Sequence, residues 1–284
     1  MSISLLGANE IRELASSLDL RPTKKLGQNF VIDSNVCQKI VRTANVIQND
    51  SVLEIGPGLG SLTLAIAQIA KKVVAVEIDS RLASLLPKTL TRHGAENVQV
   101  IARDAMEIDE KDFNDLSLPA TKLVANLPYN VSVPVLLRVL ELFPAITSGV
   151  VMVQTEVAER LAAKPGTKIY GAPSAKAAWW ANLSMAGNVS RSVFWPVPNV
   201  DSSLVTFERH SPLGDESARR LTFDVIDDAF SQRRKMLRKV LSQRFGGSEA
   251  TERHLSAIGI DPTLRGESLA ITDFYRIAEY ARGL

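Results

Sequence analysis

Asn126-Leu127-Pro128-Tyr129 is a short stretch whose residue types match one chemical problem. The exocyclic amine of adenine is a poor nucleophile, because its lone pair is delocalised into the ring. The Asn126 side-chain oxygen and a backbone carbonyl at Leu127 or Pro128 can accept its two hydrogens and favour a more tetrahedral nitrogen. Tyr129 can stack on the base and fix its plane. Orientation supplies much of the acceleration in such a displacement, and no strong general base is required. In isolation the tetrapeptide reads better as a Pro-containing turn with Asn as a cap. What precedes it shifts the balance towards chemistry.

Upstream stands Glu54-Ile55-Gly56-Pro57-Gly58-Leu59-Gly60. Glycines let the backbone turn tightly and let a ligand approach without interference from Cβ. A dinucleotide fingerprint asks for a third Gly three positions after Gly58, where Ser61 stands. Pro57 also removes one amide from any phosphate cradle. A loop without pyrophosphate contacts suits S-adenosylmethionine, which presents a sugar, an adenine and an amino acid. Glu77, 17 residues after Gly60, can accept both ribose hydroxyls, and Asp104 can accept from the adenine amine. Glu54 reads only as a cap or brace of the loop.

These residues sit at the ends of short β-branched runs. Residues 51–55, 73–77, 98–101, 122–125 and 149–153 read as buried strands, with helical patterns at 61–70, 80–92 and 133–143. The alternation predicts βαβ units and a mainly parallel sheet with helices on both faces. Two further runs, 189–194 and 203–208, look like a hairpin added at the sheet edge, making seven strands. After the turn-rich residues 210–215 the spacing is helical at 221–230, 233–245, 252–258 and 272–281. The expected organisation is therefore a domain over 1–208, with an N-terminal helical extension, and a small all-helical domain over 209–284.

Composition narrows the class. Basic residues number 33 and acidic ones 31, for a formal net charge of +2, and 45% of residues are hydrophobic. This is not the composition of a disordered chain. The single Cys37 allows neither an intramolecular disulfide nor a Cys-cluster metal site, as expected in a reducing cytoplasm. Cys37 lies on an apolar helical pattern with Val36, Ile40 and Val41, and the three histidines show no ligand spacing, so no metal is expected. No stretch reaches the roughly 20 apolar residues of a membrane span, and residues 1–17 lack a signal-peptide pattern.

In order and spacing these motifs resemble the ribosomal RNA adenine dimethyltransferase family. The likeness rests on Leu26-Gly27-Gln28-Asn29-Phe30, Glu54–Gly60, Val76-Glu77-Ile78-Asp79, Asp104-Ala105, Asn126–Tyr129, residues 194–202 and Phe230-Ser231-Gln232-Arg233-Arg234-Lys235. It implies a Rossmann-like S-adenosylmethionine methyltransferase domain followed by a helical RNA-recognition domain. Carried over, it implies that Gln28, Asn29 and the Val31 backbone hold the methionine end of the cofactor. Gly56, Gly58 and Gly60 form its loop, Glu77 and Ile78 its ribose side, and Asp104 and Ala105 its adenine side. Asn126 sits between cofactor and target, and Phe194 is a second aromatic wall facing Tyr129. Val31 replaces the family's usual Leu, and Pro173 in Tyr170-Gly171-Ala172-Pro173-Ser174 is a further departure. The tail Ile258–Glu267 is similar to the housekeeping branch, which dimethylates two adjacent adenines near the 3′ end of small-subunit rRNA. The implied partner is that rRNA in a pre-30S or inactive 30S particle, met by a monomer.

Near-neutrality requires any RNA contact to be local. Arg233, Arg234, Lys235, Arg238, Lys239 and Arg244 fall within twelve residues free of acids, and Arg21, Lys24 and Lys25 form a second cluster. On one helix, Arg234 would share a face with Arg238, and Lys235 with Lys239. Three other readings compete: a non-catalytic ribosome-assembly factor, a large-subunit resistance methyltransferase, and an NAD-dependent dehydrogenase.

Overall fold

The computed structural model describes residues 3–18, 29–109, 112 and 119–284. Gln28, Arg21, Lys24 and Lys25, which the sequence singles out, therefore lie outside the described residues.

Short β-branched runs become strands because they fill a sheet covered on both faces. β1 is Phe30–Val31, β2 Ser51–Ile55, β3 Lys72–Glu77, β4 Val98–Ala102, β5 Lys122–Asn126 and β6 Ser148–Gln154. They are followed by β7 Ala181–Val189, β8 Phe194–Trp195 and β9 Ser202–Arg209. All five residues of β2 are buried. The seven-stranded sheet runs β4-β3-β2-β5-β6-β9-β7. β4, β3, β2, β5 and β6 are mutually parallel, and β9 pairs antiparallel with β6. Strand order reverses between β2 and β5. Side chains just beyond their carboxyl ends thus flank the crevice where open α/β sheets bind ligands.

The edge differs from the expected hairpin. Of residues 189–194, only Val189 belongs to this sheet, as the last residue of β7. β7 comes earlier and forms the edge, while β9 lies inside it, between β6 and β7. β8 pairs instead with β1, Phe30 opposite Trp195 and Val31 opposite Phe194.

Helices α1 Ala8–Ser17, α2 Ser34–Thr43, α3 Ser61–Ala67, α4 Ser80–Arg92, α5 Ser132–Leu142, α6 Thr155–Leu161 and α7 Ala172–Ala177 precede the tail. There follow α8 Glu216–Ser231, α9 Leu237–Val240, α10 Ser248–Ala257 and α11 Ile271–Arg282. Asp33 and Asp79 cap α2 and α4 by accepting from Asn35 N–H and Arg81 N–H. Cys37 is fully buried on α2.

Contacts divide the chain into two compact units, Met1–Ala158 with Ser184–Arg209, and Glu159–Leu183 with His210–Leu284. A single boundary after 208 does not account for residues 159–183, which group with the tail. The reason is packing: Tyr170 and Ala175 are buried in the same apolar cluster as Val225, Leu237, Leu255 and Phe274. Pro173 occupies the first turn of α7, where no helical amide partner is needed, so this departure is absorbed locally. The expected helix over 233–245 is also corrected. Only Leu237–Val240 is helical there, because Leu237 N–H and Arg238 N–H donate to the carbonyls of Leu264 and Pro262.

Candidate active site

A cleft partly open to solvent lies in the first unit at the carboxyl ends of β2, β3 and β5. Its lining includes Asn29, Val31, Gly56, Gly58, Glu77, Ile78, Asp104, Ala105 and Asn126 through Tyr129. The strand ends thus bring together nearly all the described residues singled out from the sequence.

The loop after β2 is built for close approach. Gly56, Gly58 and Gly60 have φ of 71°, 59° and 101°, the left-handed region that side chains other than glycine rarely adopt. A Cβ on Gly58 would sit 3.0 Å from Phe30 Cδ1. Gly60 has a different task and does not line the cleft. A Cβ there would meet Leu86 Cδ1 at 2.7 Å, so this glycine lets α3 and α4 pack closely.

Glu77 ties the loop to β3. One carboxylate oxygen accepts from Gly58 N–H at 3.0 Å and the other from Asp79 N–H at 2.9 Å. A carboxylate offers about four acceptor sites, and these amides do not fill them all. Burial raises its pKa, opposed by those backbone amides. Asp104 accepts from Met106 N–H at 2.8 Å, closing a turn at the cleft wall. Ile78 and Met106 line this side although they are 54% and 38% exposed, offering flat apolar surface for a ring.

Asn126 ends β5. Its amide nitrogen donates to the Asn29 carbonyl at 3.2 Å, tying the N-terminal motif to the sheet. Its Oδ1 is buried without a hydrogen-bond partner. Such a group costs free energy unless a donor arrives. Leu127 is buried, and its N–H bonds Met152 O; the Pro128 carbonyl accepts from Val131 N–H. Tyr129 is half-buried, with its hydroxyl 2.8 Å from Ser202 Oγ.

Two findings alter the sequence-based site. Phe194, the implied second aromatic wall, is 1% exposed, packs in the core and does not line the cleft. On the two-residue β8, alternation turns Phe194 inward, while Trp195 stacks on Phe30 with centroids 6.4 Å apart. Glu54 is more than a brace. It is 1% exposed, lines the cleft, and its Oε2 has no partner. Burial pushes its pKa up to about 8, opposed by the neighbouring Thr63 hydroxyl and reinforced by the charge of Glu77. A charged residue next to the carboxyl end of a fully buried strand was the available signal.

The lining fits S-adenosylmethionine. The glycine cradle admits a close-lying chain, Glu77 has acceptors for two hydroxyls, and Ile78 and Met106 flank a slot for adenine.

The basic residues of the second unit divide into two groups. Arg233 donates to the Lys168 and Tyr170 carbonyls and lies 3.4 Å from Glu267. Arg238 pairs with Glu252 at 2.8 Å and Arg244 with Asp228 at 2.6 Å. Arg234, Lys235 and Lys239 are exposed and have no acidic partner among the described residues. No described helix is long and apolar enough to cross a membrane.

Comparison with known proteins agrees with this geometry. A ribosomal RNA small subunit methyltransferase A from Corynebacterium jeikeium (strain K411) is 52% identical over 302 residues, covering 97% of this chain and 96% of the relative. A dimethyladenosine transferase from Plasmodium falciparum superposes with a TM-score of 0.70 at 24% identity, covering 86% of this chain and 94% of that one. The 23S rRNA methyltransferase ErmE superposes with a TM-score of 0.67 at 24% identity, covering 89% and 100%. These two structures share the fold. The family model for ribosomal RNA adenine dimethylase matches residues 20–282, and the chain belongs to that family.

Proposed function

We propose that this chain is an S-adenosylmethionine-dependent methyltransferase that dimethylates two adjacent adenines in the hairpin loop near the 3′ end of small-subunit rRNA. The observation that carries the reading is the unpartnered, buried Asn126 Oδ1 in the cleft between the glycine loop and Tyr129. When bound, S-adenosylmethionine supplies an electrophilic methyl group. Glu77 holds the ribose hydroxyls, Asp104 the adenine amine, and Asn29 with the Val31 backbone the amino-acid end. Asn126 Oδ1 accepts one N6 hydrogen of the target adenine. A backbone carbonyl at Leu127 or Pro128 accepts the other. Tyr129 stacks on the base, worth about 1–3 kcal/mol. An unpaired loop adenine suits this site, because removing it from its neighbours costs less than extracting a paired base.

The small-subunit assignment is supported by the relative 52% identical over nearly the whole chain; the likeness to ErmE is one of fold. The substrate is read as a pre-30S or inactive 30S particle, the enzyme as a cytoplasmic monomer. Residues 209–284 serve RNA recognition, with Arg234, Lys235 and Lys239 as the phosphate contacts.

Incubation with methyl-labelled cofactor and undermethylated small subunits, followed by mass spectrometry of the rRNA, should place four methyl groups on two neighbouring adenines. Transfer to naked large-subunit rRNA instead would reverse the assignment. Binding of small subunits with no transfer would mark an assembly factor.

A further inference from the structure

We propose that Ser202 is a positioning residue for methyl transfer, fixing Tyr129 through the bond between their hydroxyls. This rests on the reading of Tyr129 as the aromatic platform for the target adenine. Ser202 is fully buried at the start of β9, and its Oγ lies 2.8 Å from the Tyr129 hydroxyl. Register explains how it gets there. Asn126 on β5 is opposite Met152 on β6, and Met152 is opposite Leu204 on β9. Ser202 is therefore two residues beyond that level, opposite Gln154. Because β9 runs antiparallel, its first residue reaches the edge where β5 delivers its last.

The bond matters for a physical reason. A tyrosine ring at a cleft wall swings about its Cα–Cβ bond unless its far end is held. The phenolic O–H lies in the ring plane, so a partner for it restrains both where the ring stands and how it faces. The next residue cannot take over. Ser203 projects from the opposite face, where its hydroxyl donates to Asn188 Oδ1 at 3.0 Å and lies 2.9 Å from Thr155 Oγ1. Burial also raises the pKa of Tyr129, keeping the phenol neutral and able to donate.

The test is a double-mutant cycle on full-length protein with undermethylated small subunits. Ser202→Ala and Tyr129→Phe should each lower kcat about fivefold, as expected for one hydrogen bond, with cofactor affinity and the KM for particles little changed. The double variant should be no slower than either single one. Wild-type kcat in Ser202→Ala, or effects that multiply in the double variant, would overturn the proposal while leaving the methyltransferase reading intact. Absence of transfer by wild-type protein would overturn both. If Ser202→Ala does not fold, Tyr129→Phe decides alone, and an unchanged kcat in that variant defeats the idea.

Discussion

Asn126 and Glu54 each hold a buried oxygen without a partner at the cleft, and the two lead to different experiments. For Asn126 the missing donor is the target amine. Asn126→Ala should lower methyl transfer at least a hundredfold while leaving the melting temperature within a few degrees and particle binding intact, as measured by co-sedimentation. For Glu54 the missing partner shows in stability. Its folded pKa is about 8, against an ordinary value of 4.5. Below pH 4.5 both states are protonated and nothing is lost. Between 4.5 and 8 the unfolded chain releases a proton that the folded chain keeps, so stability falls as pH rises; above 8 the loss is complete. Glu54→Gln should melt close to wild type near pH 5 and progressively higher towards pH 8, by an amount on the order of a few kcal/mol. Thermal melts of both proteins across that range check this, and a pH-independent offset contradicts it.

At the scale of elements, the glycine loop and the end of α5 show how packing holds the cleft. Gly58→Ala would force alanine into left-handed backbone, costing about 1–2 kcal/mol, and press a methyl group against Phe30. Calorimetry should find cofactor binding weakened tenfold or more. Arg209, at the end of β9, donates to the carbonyls of Ile146, Leu140 and Phe143, at 2.7, 2.8 and 3.2 Å. It thereby caps α5, whose first residues follow the Asn126–Tyr129 motif. Arg209→Met should cost about 2–4 kcal/mol in chemical denaturation without lowering activity at low temperature. The parallel strands were legible in the sequence because most are short apolar, β-branched-rich runs with largely buried centres. β7 was not: Ala181–Val189 is largely exposed, with a glycine at 187 and Asn, Ser and Met where β-branched residues would announce a strand. The place of β9 was also hidden, since pairing with β6 across more than forty residues leaves no local trace. At the site, Glu77, Asp104 and Asn126 were readable because strand ends mark them. Phe194 lies in the core, turned inward on a strand of only two residues.

At the scale of the whole molecule, the +2 net charge makes RNA binding a matter of which cations are free. The run 233–244 reads as one patch in sequence, yet Arg233, Arg238 and Arg244 are engaged with acids or carbonyls. Replacing Arg234, Lys235 or Lys239 with Ala should each flatten the salt dependence of particle binding by about 0.7–0.9 in log–log slope. Arg238→Ala should flatten it less and should lower thermal stability. Filter binding at several salt concentrations separates the two groups.

The excursion of residues 159–183 into the tail's unit has a consequence for how such a protein can be recombined. The chain passes from one unit to the other after Ala158, after Leu183 and after Arg209. A tail taken from a relative would arrive without the Tyr170 and Ala175 beside which its own helices were selected. Chimeras made by splicing at a single junction near 209 should therefore express as poorly folded protein. Those that exchange 159–183 together with 210–284 should melt cooperatively. Any inherited change of RNA target that travelled through this unit would have had to move as two separate pieces of gene.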